Sequence, residues 1–161
     1  MDFFNQTGKL AIGSRLRMLT DKITVDAAAI YKMFGVALKP KWFPVFFVLS
    51  RGEAKTITSI AKEIGHSHPS VSNIIKEMVA KGLVKETKDK SDGRRNMVML
   101  SAKGKRMSDS FSEQCIDVTA AIEQITQQTR NDLWEAIEEW ENLLLDKSLL
   151  ERVKEAKKER E

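Results

Sequence analysis

Cysteine is almost absent from this chain: Cys115 is the only one in 161 residues. A single thiol cannot close an internal disulfide, which excludes a disulfide-stapled secreted scaffold. Histidine is scarce too. His66 and His68 are the only two, and no cluster of cysteines or carboxylates accompanies them. A metal centre needs three or four ligands in a coherent geometry, so no metal is expected. No run of about 18 apolar residues occurs, so neither a spanning helix nor a membrane partner is expected. The start, Met1-Asp2-Phe3-Phe4-Asn5, lacks the basic region and apolar stretch of a secretory leader. The cytoplasm is therefore the expected compartment. No nucleophile–base–orienter set and no glycine-rich phosphate loop is present, so the expectation is no enzyme and no cofactor.

What the chain does have is unevenly spread charge. The net charge is only +4, yet residues 51–106 carry thirteen Lys and Arg against six Asp and Glu. Residues 107–146 carry one basic side chain against ten acidic ones. A basic middle followed by an acidic stretch suits a molecule that turns one end toward a polyanion. The hydrophobic fraction, 42%, is enough for one globular core.

The basic middle also carries the most regular pattern. Val71, Ile74, Ile75, Met78 and Val79 recur at helical spacing, which predicts one apolar face from about Pro69 to Lys81. Pro69, Ser72, Asn73, Lys76 and Ala80 fall on the other face. Small polar side chains with one cation can approach base edges and phosphates closely. Ser67 is placed to cap this helix, and Pro69 suits its first turn. Upstream, Ile57, Ile60, Ala61 and Ile64 form the stripe of a shorter helix. Thr56 can cap it, and Gly65 can end it in a left-handed conformation. Helix, short glycine-containing turn, helix is the helix-turn-helix pattern.

Downstream, Gly82 ends the second helix. Leu83–Lys88 and Asn96–Leu100 read as two strands, joined by Asp89-Lys90-Ser91-Asp92-Gly93-Arg94-Arg95. Two adjacent arginines at a hairpin tip either face water or enter a narrow, electronegative minor groove.

Several stretches together resemble the multiple-antibiotic-resistance-regulator (MarR) family. They are Ser59-Ile60-Ala61, Ser67-His68-Pro69-Ser70-Val71-Ser72, Lys81-Gly82-Leu83-Val84, Asp89-Lys90-Ser91-Asp92-Gly93-Arg94 and Leu100-Ser101-Ala102-Lys103-Gly104. Their order and spacing match from roughly Leu10 to Asp146. The resemblance implies a transcriptional regulator that binds double-stranded DNA. Long apolar seams flank the basic middle, and a second copy buries them most simply. The expected form is therefore a homodimer on a pseudo-palindromic operator, acting most simply as a repressor. The resemblance implies that Asp92 braces Arg94 and that Arg94 enters the minor groove; Arg95, beside it, is expected to add positive charge toward the DNA. The resemblance also implies that Ser67, His68, Ser70, Ser72, Asn73 and Lys76 meet the major groove and its phosphates. Many members carry Arg where this chain has Asn73. Arg commonly reads guanine and Asn prefers adenine, so guanine readout from that position is not expected here.

Long helices are expected to flank this lobe. Leu10, Ile12, Leu16, Leu19, Ile23, Ile30 and Phe34 keep near-heptad spacing after a loose lead-in over residues 1–8. Pro40 and Pro44 bracket a break before a helix, Val45–Ser50, that is apolar all round. After the strands, Met107, Phe111, Cys115, Val118, Ile122 and Ile125 form a second seam. Leu133, Ile137, Trp140 and Leu144 form a third. The fold expected is mainly α with a minor β component. It is a single domain over 1–161, with dimerisation helices at 8–36 and 102–150, a winged helix-turn-helix lobe at 42–100, and a charged tail at 151–161 that frays or continues as a solvated helix.

Leu38-Lys39-Pro40-Lys41-Trp42-Phe43-Pro44-Val45-Phe46 resembles more narrowly the regulator half of proteins that fuse a MarR domain to an acetyltransferase. No acetyl-coenzyme A loop is present, so a regulator module or a winged-helix interaction scaffold are the competing readings. Tyr31, Trp42 and Phe46 are either core or the lining of a pocket for a small aromatic ligand, as MarR relatives commonly have near this junction. Cys115 is either a core cysteine or an oxidant sensor. Its acidic neighbours, Glu113 and Asp117, favour the core.

Overall fold

The computed structural model describes residues 3–88 and 96–161. The chain opens on a short helix, α1 (Phe3–Thr7), and a 3₁₀ turn (Gly8–Ala11) that leads into α2 (Ile12–Met33). The lead-in expected to be loose is thus helical from Phe3. Within α2 only Tyr31 is buried. Leu16, Leu19 and Ile23 of the expected seam are 42%, 40% and 59% exposed.

The lobe that follows has a 3₁₀ turn (Pro40–Trp42), α3 (Phe43–Ser50), β1 (Lys55–Thr56), α4 (Ile57–Glu63), α5 (His68–Ala80), β2 (Val84–Lys88) and β3 (Asn96–Leu100). Pro44 lies in the first turn of α3, where the missing N–H costs nothing. The sheet is antiparallel, in the order β1-β3-β2. Val84 pairs with Leu100 and Lys88 with Asn96, while Lys55 pairs with Val98. Strand β1 was not anticipated. Two residues are too few to show alternation, and only the pairing with β3 makes them a strand.

One core serves these elements. Val45, Phe46 and Leu49 from α3 meet Ile60 from α4, Val71, Ile75 and Met78 from α5, Leu83, Val98 from β3, and Phe111. All are essentially inaccessible to water. Each such side chain contributes roughly 1.5–3 kcal/mol through burial. Phe46 and Phe111 meet edge to face, with ring centroids 4.8 Å apart.

Phe111 belongs to α6 (Ala102–Gln127). Residues 116–161 form a separate compact unit from 1–115. In it, α7 (Leu133–Asp146) is capped by Asp132, whose Oδ1 accepts from the Trp134 and Glu135 N–H groups at 2.8 and 3.2 Å. The charged tail is a helix, α8 (Leu149–Lys158), opened by a capping box between Ser148 and Glu151. Arg152 Nη2 donates to the Leu143 carbonyl at 2.8 Å, so the end of α7 is capped from α8. Leu149, Leu150 and Val153 are all more than half exposed. Among the described residues no helix is long and apolar enough to cross a membrane.

Candidate nucleic-acid interface

Helix α5 is fixed at both ends by its own sequence. At its start, Ser67 Oγ accepts from the Ser70 N–H at 3.4 Å, and Pro69 occupies the first turn. At its end, Gly82 adopts φ +69°. The Gly82 N–H then reaches the Val79 carbonyl at 2.8 Å and the Leu83 N–H reaches that of Met78 at 3.0 Å. This Schellman closure satisfies carbonyls that the helix leaves open, and a side chain at Gly82 would strain it. Helix α4 ends in the same way: Gly65 has φ +67° and the His66 N–H bonds the Ala61 carbonyl at 3.0 Å. Thr56 Oγ1 caps its start from the Ser59 N–H at 3.1 Å.

A second clamp joins the end of α5 to the start of α6. Ser101 Oγ donates to the Gly82 carbonyl at 2.6 Å and accepts from the Gly104 N–H at 3.1 Å. Lys103 Nζ donates to the Lys81 carbonyl at 3.0 Å. A Cβ on Gly104 would stand 2.2 Å from the Leu83 carbonyl oxygen, so only glycine allows this approach. The Leu-Ser-x-x-Gly stretch therefore has a mechanical reason: it pins the far end of α5.

With its inner face spent on Val71, Ile74, Ile75 and Met78, α5 leaves the other side open. His68, Ser70, Asn73 and Lys76 are exposed, as is the cap residue Ser67. Ser72 sits at the margin, half-buried. Of the six residues expected to face DNA from this helix and its cap, five thus lie on one uncovered face. Asp92, Arg94 and Arg95, expected at the wing tip, lie outside the described residues. The strands that carry the tip are present, with Lys85 and Lys88 exposed on β2.

Beside α5 stands a cluster that was not among the expectations from sequence. Glu77 Oε1 accepts from Lys41 Nζ at 2.6 Å, and Oε2 accepts from Trp42 Nε1 at 3.0 Å. Lys39 Nζ lies 3.5 Å from the same Oε2 and 5.1 Å from the centre of the Trp42 ring. The hydrogen bond from Lys41, then that from Trp42, holds the Glu77 carboxyl below the usual carboxylate range. One signal was available: a buried tryptophan needs an acceptor for its N–H. Its partner 35 residues away could not be read from spacing. A cleft of ≈ 320 Å³ opens here, lined among others by Lys41, His66, Ser70 and Asn73.

Tyr31, Trp42 and Phe46 are core residues, 4%, 2% and 0% exposed. This cleft and a second of ≈ 200 Å³ beside Leu49, Met99 and Lys105 are lined by other residues. Tyr31 stands beside Gln114 and Cys115. Burial, and next the neighbouring Cys115, pushes the Tyr31 hydroxyl up to about 12, against a pull from its hydrogen bond with Gln114. Gln114 is itself buried, and its Oε1 has no partner among the described residues. Burial also raises the Cys115 thiol, the opposite of what activates a thiolate. Among the described residues no group of three His, Cys, Asp or Glu could hold a metal ion.

Comparison with known proteins agrees with this geometry. The model of the MarR family matches residues 38–95, which run from the start of the lobe into the wing. Among curated protein sequences there is no match. Solved structures match over most of the chain. One is a probable transcriptional regulator from Pseudomonas aeruginosa, 17% identical, with a TM-score of 0.60 over 83% of this chain and 96% of that one. Another is the transcriptional repressor CouR bound to a 23-mer DNA duplex, 20% identical, with a TM-score of 0.64 over 86% and 96%. A third is the PcaV transcriptional regulator from Streptomyces coelicolor with its natural ligand, 14% identical, with a TM-score of 0.61 over 84% and 92%. At these identities the likeness establishes the fold: a mainly helical winged helix of the MarR type.

Proposed function

We propose that this protein is a cytoplasmic DNA-binding transcriptional regulator of the MarR type, not an enzyme, that acts as a homodimer on a pseudo-palindromic operator. One observation carries the reading. A helix pinned at both ends keeps His68, Ser70, Asn73 and Lys76 uncovered, in a lobe that matches the MarR family model. The same fold is seen in a repressor bound to DNA. Ser70, Ser72 and Asn73 supply base preference. Lys76 and the arginines Arg94 and Arg95, the first braced by Asp92, supply phosphate and minor-groove contacts.

The dimer rests on uncovered apolar helix faces. Leu16, Leu19 and Ile23 on α2 are 40–59% exposed, and Ile137, Trp140 and Leu144 on α7 are 40–53% exposed. A monomer in water does not keep such stripes bare, and a second copy covers like with like. Relief by a small ligand is the finer part of the reading. PcaV is solved with its natural ligand. Here a ligand would have to part the packing around Tyr31, Trp42 and Phe46. Repression, rather than activation, is carried over from repressors of the same fold, CouR among them. The narrower likeness of Leu38–Phe46 to acetyltransferase-fused regulators rests on sequence alone.

The test is capture of genomic fragments on the purified protein, followed by sequencing and by titration of a recovered fragment. Recovery of one recurring dyad-symmetric site supports the reading. Failure to retain any DNA removes it and favours the interaction scaffold. For the ligand, titration with phenolic acids should change both Trp fluorescence and operator affinity. Silence in both removes that part alone.

A further inference from the structure

The segment ahead of α3 brings two lysines to the flank of α5. Lys41 Nζ is 2.6 Å from Glu77 Oε1, and Lys39 Nζ is 3.5 Å from Oε2. Glu77 follows Asn73 by four residues, one helical turn, so this ionic knot adjoins the groove-facing residues rather than lying behind them. The cleft between them has Pro40 and Lys41 on one wall and Ser70 and Asn73 on the other, with His66 also on its lining. A lone carboxylate this close to a duplex would repel its phosphates. Two lysines against one carboxylate leave a surplus positive charge, and both lysine side chains remain 55% exposed.

Resting on the reading of α5 as the DNA-contacting helix, we infer that this cleft is a second DNA contact. It takes the phosphodiester strand that borders the groove α5 enters, and Lys41 is its cation. Lys41 exchanges the Glu77 carboxylate for a phosphate when DNA arrives. Trp42 and Lys39 keep their hold on the other oxygen, so Glu77 stays partnered after Lys41 leaves. Glu77 does not touch DNA: it is the counter-anion that Lys41 gives up. The contact reads no base, so its signature lies in the salt dependence, where each phosphate contact contributes a slope of about 0.9 in log K against log salt.

The experiment measures affinity from 50 to 200 mM salt, on the captured site and on a random duplex of equal length. It uses the full chain, Lys41→Gln, Lys41→Arg and Glu77→Gln. Lys41→Gln is expected to flatten the slope by about 0.9 per protomer, equally on both duplexes. Lys41→Arg is expected to keep the slope. Glu77→Gln removes an anion beside the path and is expected to bind the random duplex at least as tightly as the parent. An unchanged slope in Lys41→Gln overturns the inference while leaving the proposed function standing. So does a loss confined to the captured site, which marks Lys41 as reading a base rather than a phosphate. A parent chain that binds neither duplex overturns both.

Discussion

The proposed base preference rests first on Asn73. It is exposed on the open face of α5, and an amide there offers a bidentate match to adenine where an arginine would match guanine. Asn73→Ala should therefore relax base preference more than it lowers affinity for random DNA, measured by competition between the captured site and its single-base variants. Equal losses on specific and random duplexes would contradict that role. Arg94→Ala should weaken binding by ~1–3 kcal/mol at moderate salt and leave the oligomeric state unchanged. Tyr31 in the core and the half-buried Cys115 packed against it give predictions of another kind. Tyr31 is pushed up from 10 to about 12, so the neutral phenol is the form the fold prefers. Its contribution to stability is complete below pH 10 and is lost as pH rises through 12. Urea unfolding of the parent and of Tyr31→Phe should differ by a constant amount below pH 10, through the lost Gln114 hydrogen bond. Only in that alkaline window should the parent lose further stability relative to the variant. The Cys115 thiol is raised by burial, so it should alkylate slowly at neutral pH in the folded chain and quickly in urea. Fast labelling in the native protein would reopen the sensor reading.

Elements were legible in proportion to how local their causes are. The caps and stops of α4 and α5 were readable because Thr56, Gly65, Ser67 and Gly82 act on backbone within a turn of themselves. The five-residue strand Asn96–Leu100 was readable, and its partner differed at the start by one residue. Strand β1 was not, since a pair of residues shows no period. The ionic knot on Glu77 was not either, because its partners come from 35 and more residues away and only the packing of α5 near the 3₁₀ turn joins them. The stretch after residue 150 lay between two readings, and Ser148 with Glu151 settles it as a capped helix. The Ser101–Gly104 clamp was visible as a motif but not as a mechanism. Gly104→Ala should cost about 1–3 kcal/mol or more, as an overpacked contact against backbone, because its Cβ would meet the Leu83 carbonyl at 2.2 Å. Thermal unfolding checks this. A variant as stable as the parent would mean that α6 can slide away from Leu83 at no cost.

At the scale of the molecule, two asymmetries coincide. The basic side chains concentrate in 51–106, the segment that holds α5 and both long strands, and the acidic ones in 107–146. The uncovered apolar stripes lie on the long helices outside the lobe. The proposed homodimer would present two copies of α5 to one duplex, which offers its major groove again every 34–36 Å or so. The most direct measurement is the sequence of genomic fragments retained by the purified chain, read together with its mass in solution. The account predicts a dimer and one recurring site with two inverted half-sites about one helical turn apart. A monomer that retains fragments at random, or retains none, would contradict it.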